Sequence, residues 1–147
     1  MPAPAESATN RGGGGVFLVA ALVYLAVVFV LSHIPGQHLT FAFDVWDKAI
    51  HFAEFVPLGF LLAGWMARRT WAPRARLPLT LAVAAVVAIF GAADELHQWF
   101  VPNRSATVGD ALADALGGLV GAGLGALLID PRRRRRPALS RSGSRTT

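Results

Sequence analysis

Ten ionisable or amide side chains have spacings that could build one chemical site: nine fall in three short stretches of the sequence, and one lies between the last two stretches. They are Asp47, Lys48, His51, Glu54, Asp94, Glu95, Gln98, Arg104, Asp110 and Asp114. In the first stretch, Asp47, His51 and Glu54 follow an i, i+4, i+7 spacing, which predicts one face of a helix. An imidazole between carboxylates is typical of an oriented general base, and carboxylate oxygens also bind divalent cations.

The other two stretches repeat this helical spacing. Asp94 and Gln98 share a predicted face with Glu95 beside them, and Asp110 and Asp114 share another. Placing a charged acid side chain at membrane depth costs free energy, so such residues usually face a partner or a cavity. We therefore expect these residues to point into the protein.

A basic residue and a glycine pattern complete the set. Arg104 lies in the predicted connection between the second and third stretches, and its planar guanidinium could bridge carboxylates or bind a phosphate. The face of Asp110 and Asp114 continues as Gly117, Gly121 and Gly125. Because small residues let helices approach closely in lipid, this stripe predicts that both acids turn inward.

The composition indicates the elements that position these residues. Hydrophobic residues make up 54 % of the chain and charged residues 16 %, and cysteine is absent, which excludes disulfides and Cys-ligated metal sites. Four apolar segments are long enough to span a bilayer. They cover 16–34, 46–66, 77–100 and 108–129. We predict an all-α, polytopic four-helix transmembrane bundle over 16–129, with a disordered N-terminus at 1–15 and a disordered polybasic tail at 130–147.

The charges indicate an orientation. Twelve of the 14 basic residues fall on one side of the four predicted spans, whereas seven acids fall on the other side with Lys48 and Arg104. The positive-inside rule therefore predicts a cell-membrane protein with both termini in the cytoplasm and the acidic cluster outside. We expect the arginines from Arg132 to Arg136 to contact anionic lipid headgroups, and no nucleic acid.

The motifs resemble those of the VanZ-like family, small bacterial membrane proteins named for a teicoplanin-resistance accessory protein. The resemblance rests on D-K-x-x-H-F at 47–52, D-E-x-x-Q-x-F-x-P-x-R at 94–104, then Asp110 and the glycine-rich last helix. It implies a role in the cell envelope and in glycopeptide tolerance, and it implies no defined reaction. Two positions depart from the pattern: Asn103 stands where the family often has Gly, and Asp114 where it often has Asn.

Three functions stay open at this point. In the first, Arg104, Lys48 and Gln98 bind an anionic headgroup, such as that of a lipid-linked cell-wall precursor, while Asp94 and Glu95 hold the basic side chains.

The second is a membrane-embedded enzyme in which His51 with Asp47 acts as the base and Glu54 or Glu95 as the acid. No cofactor is evident, although a divalent cation could lie among His51 and the acids. In the third, the polar residues form only a structural ion-pair network. The oligomeric state is open in all three.

Overall fold

The computed structural model describes residues 12–35, 44–69, 71–73 and 75–129. Within these ranges the chain is all-helical, as predicted. The helices are α1 (Gly12–Ser32), α2 (Asp44–Met66), α3 (Arg76–Gln98) and α4 (Val108–Leu128). All four are long and apolar enough to cross a membrane, which confirms the four-span prediction. The polybasic tail at 130–147 lies outside the described residues.

Two helices begin at least two residues earlier than the apolar pattern predicts. The first starts at Gly12, so residues 12–15 are helical although the sequence places them in the N-terminal segment. The second starts at Asp44. Hydropathy detects large apolar side chains, whereas a helix is extended by backbone hydrogen bonds, so a helix can begin before the apolar segment does.

The helices alternate in direction, so one end of the bundle collects the ends of α1 and α3 and the beginnings of α2 and α4. Contacts between Ser32 and Asp94, and between His51 and Asp114, fix this arrangement. We call this end the polar end. The opposite end carries the basic residues Arg68, Arg69 and Arg76.

The tightest packing is between α2 and α4. A Cβ added to Gly117 would collide with the carbonyl oxygen of Phe52, and one added to Gly121 would collide with that of Val56. Gly59 on α2 makes the reciprocal approach to the backbone of Gly118. The glycine stripe therefore faces the bundle, as predicted, and it turns the acids on the same face of α4 inward.

The other helices pack through side chains. Val87 on α3 fills the space over Gly118, and the Tyr24 hydroxyl on α1 donates to the Glu54 carbonyl at 2.8 Å. Large apolar side chains cover much of the outer surface, particularly on α1, where only 17 % of the span is buried. An apolar outer surface is what a helix bundle presents to lipid.

Candidate functional site

Three helices meet at a buried triad formed by His51, Glu95 and Asp114. His51 Nδ1 on α2 lies 3.0 Å from Asp114 Oδ1 on α4 and 3.4 Å from Glu95 Oε1 on α3. The side chains are 5 %, 9 % and 0 % exposed for His51, Glu95 and Asp114 respectively. Because one ring nitrogen donates at most one hydrogen bond, only one of the two carboxylates can be satisfied by it.

Unpaired oxygens remain in the triad. Glu95 Oε1 and Asp114 Oδ2 are buried and have no hydrogen-bond partner among the described residues. The second oxygen of Glu95 accepts a hydrogen bond from the Thr107 backbone N–H at 3.1 Å. An unpaired buried polar atom costs about 1–3 kcal/mol, and more when it is charged, so the triad is incompletely compensated by protein groups.

Small residues make room for the triad. Gly91 on α3 lies against Asp114, and a Cβ there would come within 2.6 Å of the Asp114 Cβ. The last turns of α3 and the first turns of α4 can therefore approach closely enough for the carboxyls of Glu95 and Asp114 to reach the same imidazole.

The buried carboxylate of Asp110 has a hydrogen-bond partner at each of its two oxygens. Asp110 Oδ1 accepts from Lys48 Nζ at 3.2 Å, and Oδ2 accepts from the Thr107 hydroxyl at 2.6 Å. Thr107 is also the N-cap of α4, since its hydroxyl accepts from the Asp110 backbone N–H at 3.3 Å. Such caps are typical of helix starts. The contact between Asp110 and Lys48 joins the first turn of α4 to α2.

Asp94 has neutral partners. Its oxygens accept from Ser32 Oγ at 2.6 Å and from Gln98 Nε2 at 2.7 Å. The first of these hydrogen bonds joins the end of α1 to the end of α3, so it closes the bundle at the polar end.

A polar cavity of about 140 Å³ opens beside the triad. Its polar lining residues are Ser32, Asp47, His51, Glu54 and Arg104. The Nε atom of Arg104 is buried without a hydrogen-bond partner among the described residues. The cavity therefore combines a guanidinium that has spare donor capacity with two carboxylates and an imidazole.

An apolar groove of about 380 Å³ runs between α1, α2 and α3. Its walls include Leu22, Phe29, Phe55 and Phe90, and its polar residues are Asp94 and His97. Ser32 lines the polar cavity and Asp94 lines the groove, so the two spaces adjoin at the Ser32–Asp94 hydrogen bond.

All ten residues singled out in the sequence lie at the polar end, but several contacts differ from the expected ones. Lys48 and Gln98 donate hydrogen bonds to Asp110 and Asp94, and their expected contact with a ligand stays a prediction. The acid that holds Lys48 is therefore Asp110, whereas Asp94 and Glu95, expected in that role, have other partners. Residue spacing gives the face of a helix but leaves open how the helices rotate against one another.

Three contributing residues were missed. Ser32 is a single serine at a helix end, which carries no signal of a functional role. Gly91 shows its role only in the packed structure. Thr107 had a usable signal, because a threonine three residues before an acid at a helix start resembles a capping box.

Two groups at the polar end have the composition of a metal site. They are Asp47 with His51 and Asp110, and His51 with Glu95 and Asp114. In each group the potential ligand atoms lie within 4.8 Å of one another. The two groups share His51, so one imidazole nitrogen can serve only one of them.

Comparison with known proteins gives a single finding. A family model described as VanZ/LLP1 matches residues 15–129, which include all four described spans except the first residues of α1. No curated protein and no solved structure matches the chain.

Proposed function

Since this chain belongs to the VanZ/LLP1 family and has four helices able to span a membrane, we propose that it is a cell-envelope protein that binds an anionic, lipid-linked component at its polar end. We further propose that this binding contributes to tolerance of glycopeptides such as teicoplanin. The family match and the four apolar helices support the membrane location. The side chains at the polar end support the chemical class of the ligand.

The observation that carries the proposal is the junction of an apolar groove with a polar cavity. The groove adjoins the cavity at the Ser32–Asp94 hydrogen bond, and Arg104 lines the cavity beyond it. A lipid has the same layout, with an apolar chain joined to a polar headgroup. The chain would occupy the groove from the bilayer side, and the headgroup would reach the cavity.

Arg104 defines the anionic part of the ligand. A guanidinium binds phosphate through two parallel hydrogen bonds, and an unpartnered buried Nε gives it a reason to do so. Lys48 and Gln98 bind Asp110 and Asp94, so the anion contact rests on Arg104.

The acids of the cavity define the rest of the headgroup. Asp47 and Glu54 would repel a bare phosphate, but they can accept hydrogen bonds from hydroxyl or amino groups. A phosphate that carries a sugar or an amine matches both features. Lipid-linked cell-wall precursors belong to this chemical class.

The proposed orientation places the polar end outside the cell and both termini in the cytoplasm, with the tail from Arg132 to Arg136 at anionic headgroups. Because the native chain lacks cysteine, single cysteines report sidedness cleanly. Ser105 near the polar end and Ala75 at the opposite end are both exposed. Ser105→Cys should react with an impermeant maleimide on intact cells and Ala75→Cys should not; the reverse result would turn the site towards the cytoplasm.

Binding is tested with a glycosylated polyprenyl phosphate, whose phosphate carries a sugar, and the protein in nanodiscs. Loss of a charge-assisted hydrogen-bonding group costs about 1.5–3 kcal/mol, so Arg104→Gln should weaken binding by about 10- to 100-fold. Arg76→Gln is the matched control, because Arg76 is exposed at the opposite end of the bundle. Equal affinities for wild type and Arg104→Gln would reject the proposed contact.

A headgroup-modifying enzyme is the second candidate, because His51 lines the same cavity in which the headgroup would lie. A labelled polyprenyl-phosphate headgroup incubated with the purified protein separates the two. Turnover that is lost in His51→Gln supports the enzyme, whereas saturable binding without turnover supports a binding protein.

A further inference from the structure

The triad geometry points to a second, separate ligand: we infer that His51, Glu95 and Asp114 form a site for a divalent transition-metal ion, with Zn²⁺ the best match. The triad lies between α2, α3 and α4, whereas the lipid proposal rests on Arg104 and the groove beside α1. The inference does not depend on the proposed function.

The distances from the imidazole nitrogen to the two carboxylates match the spacing of ligand atoms around one ion. Metal–ligand bonds of about 2.0–2.2 Å place neighbouring ligand atoms about 2.8–3.6 Å apart in octahedral or tetrahedral geometry. The distances from His51 Nδ1 to Asp114 Oδ1 and to Glu95 Oε1 are 3.0 and 3.4 Å. All three atoms lie within 4.8 Å of one another.

An independent observation is the unpaired carboxylate oxygen of Glu95. Its side chain is only 9 % exposed, and Oε1 is directed at His51 Nδ1 yet has no hydrogen-bond partner among the described residues. The other oxygen is held by the Thr107 backbone N–H, which fixes the carboxylate plane. Oε1 is therefore an oriented acceptor that lacks a donor, as a metal ligand is before the ion binds.

The charges favour a dication over a single proton. Two carboxylates and a neutral imidazole carry a charge of −2, which one divalent ion neutralises. A proton on His51 compensates one carboxylate and leaves the other. One nitrogen and two oxygens are a ligand set suited to Zn²⁺, which commonly takes three protein ligands and one further ligand at its fourth position.

The other candidate group is a poorer site. Asp110 has both oxygens engaged, one by Lys48 and one by Thr107, so neither oxygen lacks a donor that an ion would replace. In the triad, Glu95 Oε1 and Asp114 Oδ2 have no hydrogen-bond partner among the described residues. His51 also lines the polar cavity, which gives an ion a route to the triad from the polar end.

The experiment measures Zn²⁺ binding by the full chain in detergent, purified through a histidine-free tag and treated with chelator. Wild type should bind one Zn²⁺ per chain. Glu95→Gln keeps an acceptor for the Thr107 N–H but removes one ligand, so its affinity should fall by at least about tenfold. His33→Ala, which removes an exposed imidazole that packs against His97, is the control and should leave affinity unchanged.

The outcomes separate the triad from its alternatives. Wild type that binds no Zn²⁺, or Glu95→Gln that binds as well as wild type, overturns the inference. Loss of binding in His33→Ala with retention in Glu95→Gln assigns the ion to the His33–His97 pair and also overturns it. If Glu95→Gln does not fold, Co²⁺ bound to wild type decides: intense visible bands support an ordered low-coordinate site, and the weak spectrum of the hydrated ion contradicts it. The Zn²⁺ assay contains no lipid ligand, so either result leaves the lipid proposal intact.

Discussion

The two sides of α2 differ in how they meet their neighbours. Towards α4, glycines bring the backbones into direct contact, with Gly117 against Phe52 and Gly121 against Val56. Towards α1 and α3, side chains leave an apolar groove of about 380 Å³. Only 17 % of the α1 span is buried, against 44 % for α2 and α4.

The two sides of α2 therefore have different roles: one holds the helices together, and the other is accessible to a ligand. The closed α2–α4 side brings His51 and Asp114 together and keeps the triad almost entirely buried. The open side carries the apolar groove, and the polar cavity with Arg104 lies next to it. Changes on the closed side should therefore act on folding, and changes on the open side should act on ligand binding.

The largest effect is expected on the closed side, from Gly121→Ala. The added Cβ would meet the Val56 carbonyl and lie 3.0 Å from the Phe60 nitrogen, and backbone atoms cannot rotate away. We expect destabilisation of about 3 kcal/mol or more and loss of accumulation in the membrane, measured by immunoblot and detergent melting.

Gly123→Ala on the same helix is the control. Among the residues that the structure describes, its Cβ would have only Thr80 within reach, at 4.0 Å, and alanine favours the helix. Wild-type behaviour is expected for this variant. A protein that tolerates Gly121→Ala as well as Gly123→Ala would show that the glycine contact does not hold the bundle.

A smaller effect is expected at the junction, from Asp94→Asn. Asp94 binds the neutral donors Ser32 and Gln98, so the change removes one hydrogen bond and costs no more than about 3 kcal/mol. A broken buried ion pair costs about 3–5 kcal/mol. We expect near-normal membrane abundance with lost glycopeptide tolerance.

Ser32→Ala removes one hydrogen-bond donor from the Asp94 carboxylate and keeps its charge. It therefore shows whether a phenotype of Asp94→Asn comes from the lost hydrogen bond or from the lost charge. Tolerance should be largely retained in this variant. If abundance and tolerance fall in parallel in both variants, the polar end acts as a scaffold.

The smallest effect is expected on the open side, from Ala93→Trp. Ala93 lines the groove, and an indole there would displace part of a bound chain. If the bound chain loses contacts equal to about two methylenes, the affinity for the glycosylated polyprenyl phosphate falls about tenfold. The adjacent Ala92 is exposed outside the groove lining, so Ala92→Trp should bind normally in the same nanodisc assay. Equal loss in both variants would exclude the groove as the chain site.

The sequence was sufficient for the fold and for the location of the polar residues. Apolar length predicts the spans, and acids at alternating helix ends predict a common end of the bundle. The glycine stripe even gives the correct inward face of α4. Pairings such as Lys48 with Asp110 could not be predicted, because they depend on helix rotation and depth, which spacing along one helix does not determine.

One departure from the family pattern has a structural reason. Asn103 has a φ of 58°, the left-handed conformation that glycine adopts most easily and that asparagine tolerates better than most residues. The Gly that the family often has before the arginine therefore suits the same backbone turn. Asn103 keeps this turn, and with it the placement of Arg104.

The central claim is that the open side of the polar end binds a ligand rather than only holding the helices together. A thermal melt with and without the glycosylated polyprenyl phosphate tests it most directly. A ligand at 100 times its Kd stabilises the folded state by about 2.7 kcal/mol, which raises Tm by several degrees. We predict this increase for wild type, and for Arg104→Gln an unchanged ligand-free Tm with a much smaller increase. A lower ligand-free Tm for Arg104→Gln, together with no ligand-dependent increase in wild type, would contradict the account.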